Sequence, residues 1–259
     1  METPKTSFSL KNLNWFKYAA PMRFYFLAKK LIPWCWTFSI IFGVAGFYIG
    51  FFVAPTDAQQ GDAYRIIYIH VPVAWLSMVL YVAMAFWAAI GMVFNARLAH
   101  RLSVAIAPTG ALMTFIALAT GALWGKPTWG AWWVWDARLT TELILLFLYI
   151  GYLSLHHSIE DETRADRASG LLAIIGVINV PIIYFSVKWW NTLHQGASIT
   201  INQAPSIATP MLLGLLLMTC AFWLYCFAII FTRTNQKILE RDLHTSWVTE
   251  EITLLKGQR

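Results

Sequence analysis

The sequence is poor in charge. Only 12% of its 259 residues are Asp, Glu, Lys or Arg, about half the share of an average soluble domain. Hydrophobic residues make up 58% of the chain and the mean hydropathy is +0.57. These values exclude an ordinary water-soluble globule and predict a chain that crosses a membrane several times. Cysteine is also scarce: Cys35, Cys220 and Cys226 all stand in apolar runs. No C-x-x-C or C-x-x-C-H is present, which excludes a dithiol redox pair and a covalent c-type haem motif within the chain. Three buried, inert thiols are expected. No P-loop or other nucleotide motif occurs, and no inverted repeat of the transporter kind. No cleavable signal peptide is expected, because about thirty residues carrying Lys and Arg precede the first apolar run.

What the chain does contain is long apolar runs. Six are long enough for a helix to cross a bilayer: Ile32–Ala54, Ile66–Phe94, Val104–Trp124, Leu139–His156, Ser169–Val187 and Ser206–Phe231. The expected fold is all-α, a polytopic bundle of six transmembrane helices, with tails over residues 1–31 and 232–259. An even number of crossings puts both tails on one side. Lys and Arg number six up to Lys30, two in Asn95–Ser103, two in His157–Ala168 and five from Thr232 onward. The three other connections carry four between them. Fifteen against four places both tails in the cytoplasm. The net charge of +6 comes largely from these tails. It implies orientation and contact with membrane lipids, not nucleic acid. The outward connections are then Pro55–Arg65, Gly125–Arg138 and Lys188–Pro205.

The second of these holds the densest aromatic cluster in the chain. Trp124 to Arg138 reads WGKPTWGAWWVWDAR, with Trp124, Trp129, Trp132, Trp133 and Trp135 beside Gly125, Pro127 and Gly130. Glycine and proline are expected to keep it from being a plain helix, leaving a broad aromatic surface with charges at its margin. An interfacial tryptophan belt is the plainer reading, but a belt is spread over all the spans. Two histidines are predicted on the same face. His70 lies in YRIIYIHVPVAW, where Pro72 is expected to kink or start the second span. His194 lies in KWWNTLHQG, just past the fifth span and next to Trp189 and Trp190. Each could simply bond backbone carbonyls. As a pair they could also bind one metal from opposite sides, which suits an iron porphyrin. Zinc wants three or four N, S or O ligands and fits less well. Arg65, Lys126, Arg138 and Lys188 are the outward cations, suited either to headgroups or to the propionates of a porphyrin. Asp136 is placed to cap the fourth span. His100, His156, His157 and His244 fall on the cytoplasmic side and are expected at headgroup level.

WGKPTWGAWWVWDARLT resembles the tryptophan-rich "WWD" signature of the haem-handling proteins of cytochrome c maturation. YRIIYIHVPVAW, APTGALMTFIALATGALWGKP and PIIYFSVKWWNTLHQG resemble segments of the short CcmC family in that group, over roughly residues 30–232. The resemblance implies a six-span bacterial inner-membrane protein that binds haem b at its periplasmic face. It implies His70 and His194 as axial ligands, and the Trp124–Arg138 region as the surface for haem and for the haem chaperone CcmE. It implies loading of haem onto that chaperone, with the ATP-binding-cassette pair CcmA and CcmB and the small membrane protein CcmD in the same assembly. No nucleophile of the chain's own is needed, so any catalysis would be by positioning. Three rivals stand beside this expectation: a haem-exporting subunit, a b-type electron-transfer subunit, and a structural subunit whose aromatic face binds protein.

Overall fold

The computed structural model describes residues 19–190, 192–194 and 207–257. The N-terminal tail to residue 18 and most of the connection before Thr209, including Ser206, lie outside the described residues. Eight α-helices follow one another: α1 Pro21–Tyr48, α2 Ile67–Phe94, α3 Arg97–Trp129, α4 Ala137–Ser158, α5 Glu162–Gly176, α6 Asn179–Trp189, α7 Thr209–Arg241 and α8 Ser246–Gly257. A π turn, Ile49–Val53, extends α1, and a 3-10 turn, Asp62–Ile66, leads into α2. Among the described residues there is no strand, only an isolated bridge between Asp57 and Gly61. Among the described residues, six helical stretches are long and apolar enough to cross a membrane, α5 and α6 together making the fifth. The protein is an all-α polytopic membrane protein.

The helices outrun the apolar runs. Helix α1 starts at Pro21 instead of Ile32, α3 starts at Arg97 instead of Val104, and α7 continues to Arg241 past Phe231. Charged residues at helix ends sit at or beyond the headgroups, so hydropathy marks the dry part of a helix only. Helix α2 instead keeps the expected bounds to within one residue and runs through Pro72. The turn from α2 to α3 is short because Asn95 adopts the left-handed conformation (φ 51°) and its N–H bonds to the Gly91 carbonyl.

The fifth crossing differs from the expected single span. Pro181 has no N–H to give to the Val177 carbonyl. The Val180 amide takes that carbonyl instead, at 3.0 Å, and the helix breaks between Gly176 and Asn179. Asn179 Nδ2 donates to the Thr141 carbonyl of α4 at 2.9 Å, which anchors the start of α6.

The main core lies between α2, α3, α4 and α5, with Tyr81, Tyr149 and Tyr152 fully buried. Tyr149 Oη donates to the Ser77 carbonyl at 2.8 Å. A Cβ on Gly110 would come within 2.2 Å of that hydroxyl. Gly110→Ala is therefore expected to destabilise the protein by about 1–3 kcal/mol, seen as a lower unfolding temperature of the purified chain. An unchanged temperature would mean that Tyr149 moves aside freely. The thiols do not share one environment: Cys226 is buried, Cys35 is intermediate and Cys220 is exposed. An apolar run guarantees that a thiol avoids water, whereas burial depends on which side of the helix faces protein.

At the Asn95 end of the bundle, side chains form an ion-pair network. Arg101 makes two bonds to Asp242, at 2.8 and 2.6 Å. Arg241 bonds Asp166 at 2.7 and 3.1 Å, and its Nε approaches Glu162 at 3.1 Å. His156 Nε2 lies 3.1 Å from Asp166. His156 is thus tied into this network instead of standing free at the headgroups. Helix α8 docks beside it through Glu251, which accepts from Tyr25 Oη at 2.8 Å and pairs with Lys29.

Candidate haem-facing site

The opposite end of the bundle carries the residues that the sequence singles out. His70 projects from the first turns of α2, and His194 follows α6. Their ring centroids are 6.4 Å apart, with the planes inclined at 37°. Imidazole–metal bonds of about 2 Å place two rings that share one metal from opposite sides roughly 6 Å apart, centre to centre. The pair is therefore spaced as two ligands of one ion would be. Among the described residues, no group of three or more His, Cys, Asp or Glu could hold a metal. A protein-only zinc site is not formed there, whereas a metal that brings its own four in-plane ligands needs only two imidazoles.

A hydrogen-bond chain ties His70 to α3. Thr120 Oγ1, on α3, lies 2.6 Å from the Ile116 carbonyl and 3.0 Å from His70 Nδ1. A hydroxyl has one proton. With that proton on the carbonyl, the hydroxyl accepts from Nδ1–H and the lone pair of His70 is on Nε2. That is the arrangement of a metal-binding histidine oriented by an outer partner. Gly121 makes room for the ring, since a Cβ there would stand 3.2 Å from His70 Cε1.

The tryptophans are split between a helix and a loop. Glycine and proline do not break α3 before Trp129, so Trp124–Trp129 is helical. Gly125 is tolerated because a Cβ there would crowd the Ala131 carbonyl and the Trp129 ring, both at 3.1 Å. Pro127 lies so near the helix end that its missing N–H costs a single bond. The helix stops at Gly130 (φ 79°), whose amide bonds to the Lys126 carbonyl. Helix α4 restarts after Asp136, whose carboxylate accepts from the Leu139 amide at 2.8 Å, so the expected cap is formed.

Trp124 is the indole beside the histidine, 5.6 Å from His70 and nearly perpendicular to it. Its Nε1 donates to Gln60 Oε1 at 2.7 Å, and Tyr64 packs against its ring edge. Trp132 and Trp135 are 55% and 77% exposed, and Trp189 and Trp190 are also more than half exposed. The surface is not one flat shelf, because Trp133 and Trp135 meet at 79° and Trp189 and Trp190 at 72°.

The cations divide in the same way. Arg138 lies within electrostatic reach of His70, and its Nη1 donates to the Ile183 carbonyl of α6 at 2.8 Å. Arg65 is turned to structure: Nη1 donates to the Gly50 carbonyl at 2.7 Å and Nε to Asp62 at 2.9 Å. Lys126 Nζ donates to the Gly130 carbonyl at 3.1 Å, and Lys188 Nζ stands 5.9 Å from the centre of the Phe185 ring. Glu142 is buried, 6% exposed, and accepts from Ser77 Oγ at 2.7 Å. Thr120 and Gly121, within the segment leading to Trp124, and Gln60, outside every quoted segment, also belong to the site although the sequence reading did not single them out. A threonine and a glycine one turn before Trp124 were the available signal.

Comparison with known proteins adds an independent line. The family described as "Heme exporter protein C" (CcmC) matches residues 14–249. Heme exporter protein C of Escherichia coli K12 is 46% identical over 246 residues, covering 93% of this chain and 97% of the relative. The Haemophilus influenzae protein of that name is 45% identical over 239 residues, covering 92% and 97%. The Bradyrhizobium diazoefficiens protein is 43% identical over 227 residues, covering 88% and 86%. The chain belongs to the heme exporter protein C (CcmC) family.

Proposed function

We propose that this protein binds haem b at the periplasmic face of the bacterial inner membrane and presents it to the haem chaperone CcmE during cytochrome c maturation. The observation that carries the proposal is the 6.4 Å separation of the His70 and His194 rings. The Thr120–His70 hydrogen bond supports it, as do the Lys and Arg counts, by which this end of the bundle would face outward. His70 and His194 would bind the iron, with Trp124 against the first ring. Arg138 is the cation placed nearest to face a propionate, with Lys188 as a second candidate on the segment leading to His194. Trp132 and Trp135, both exposed, would form the surface met by the chaperone, with the half-buried Trp133 backing Trp135. Haem, when bound, would supply the reactive edge of its ring. This chain contributes position: it holds one reactant fixed while the other docks, and such pre-orientation removes much of a barrier. CcmA, CcmB and CcmD are the expected companions in the membrane.

Two measurements on the purified full-length protein test this. Wild type should show the absorption of six-coordinate haem, and His194→Ala should shift or lose that band. An unchanged spectrum would exclude His194 as a ligand. Replacing Trp132 and Trp133 together by alanine should leave the band in place and slow transfer of haem to the chaperone. Transfer at the wild-type rate would remove the docking role of these rings.

A further inference from the structure

At the end of the bundle opposite the histidines, the starts of α3 and α5 and the end of α7 enclose a polar cleft of about 370 Å³. Four arginines line it: Arg97, Arg101, Arg167 and Arg241. The carboxylates in its wall are Glu162, Asp166 and Asp242, and His100 stands among them. All three carboxylates are already engaged, Asp242 by Arg101, and Asp166 and Glu162 by Arg241. Arg97 and Arg167 make no ion pair among the described residues. The surplus charge of the cleft is therefore positive.

A buried donor points the same way. Arg101 is 2% exposed, and its Nε has no hydrogen-bond partner although its two terminal nitrogens are held by Asp242. Helix α3 also begins here on Ala96, which offers no side-chain cap. An uncapped helix start favours an anion. We propose that this cleft binds a phosphate group, from an anionic lipid headgroup or from a soluble phosphate compound. Arginine forks match phosphate oxygens, and basic pockets between membrane helices take anionic headgroups. The volume is near the lower end of the range of small-ligand sites, about 300–1,000 Å³. Assignment to the inner leaflet rests on the orientation deduced from charge. The phosphate chemistry does not, nor does it depend on haem binding at the other end.

The test uses the full-length protein in detergent and follows its unfolding temperature. One arm adds phosphatidylglycerol, with phosphatidylcholine as the control. A second adds inorganic phosphate, with chloride at equal ionic strength as the control. The variants are Arg97→Ala/Arg167→Ala, both exposed positions, and Arg164→Ala, an exposed arginine of α5 outside the cleft. Phosphatidylglycerol should raise the unfolding temperature of wild type and of Arg164→Ala. The double variant should need about tenfold more lipid for the same rise. If inorganic phosphate alone gives the rise, and the double variant loses it, the site takes soluble phosphate. The single variant Arg97→Gln repeats the comparison with less disturbance of the fold. Equal responses in all the proteins, or no response to either phosphate source, would overturn the proposal.

Discussion

Replacing His70 by alanine is expected to lower haem retention by the purified protein by about two orders of magnitude or more, and Thr120→Val by roughly 10–100-fold. The two substitutions act on one ligand in different ways. His70→Ala removes the nitrogen that would meet the iron. Thr120→Val keeps the imidazole and a side chain of similar shape, but removes the hydroxyl 3.0 Å from Nδ1. The ring then loses that hydrogen-bond partner, while α3 loses only a side-chain bond to the Ile116 carbonyl. A graded series, with wild type above Thr120→Val and Thr120→Val above His70→Ala, should appear in haem content and in the position of the absorption band. If Thr120→Val matches wild type while His70→Ala loses haem, the hydrogen bond does not set the ligand. If both retain haem, axial binding by His70 is excluded.

Asp166→Ala is expected to have the largest effect on stability, a loss of about 3–5 kcal/mol. The Asp166 and Arg241 side chains are only 7% and 9% exposed. Removing the carboxylate leaves the mostly buried guanidinium with only the exposed Glu162 beside it and takes away the partner of His156 as well. Adding Arg241→Met to Asp166→Ala should recover part of the loss, because the uncompensated charge is then gone. The unfolding temperatures of the single and double variants in detergent decide the matter. Simple additivity of the two losses would mean that water reaches Arg241 and screens it.

Much of this architecture follows from local chemistry. Twenty apolar residues in a row announce a crossing whatever surrounds them. Asp136 caps α4 because its carboxylate needs only the amide three positions on. His70 and His194 stand out because imidazole beside clustered indole is chemically particular. Other features required the register of one helix against another. Thr120 matters only because α3 lies beside α2 at the height of His70. The Arg101–Asp242 and Tyr25–Glu251 contacts join residues 141 and 226 positions apart, and neither has a sequence pattern. The break near Pro181 was concealed for the opposite reason: the run around it is so uniformly apolar that one missing donor leaves no trace in hydropathy. The roles of Arg65 and Lys126 in closing backbone carbonyls also depended on three-dimensional neighbours.

The two-piece fifth crossing has a consequence for how the chain is held in the bilayer. At 1.5 Å per residue, α5 and α6, of 15 and 11 residues, measure about 22 and 16 Å, each short of the roughly 30 Å of hydrocarbon. Their joint therefore sits inside the lipid, where exposed backbone groups are costly; there the Val180 amide takes the Val177 carbonyl, and the Asn179 side chain donates to the Thr141 carbonyl of α4. The fourth helix thus tethers the broken crossing at its joint, so the two pieces lean on a neighbour where an unbroken helix would be self-sufficient.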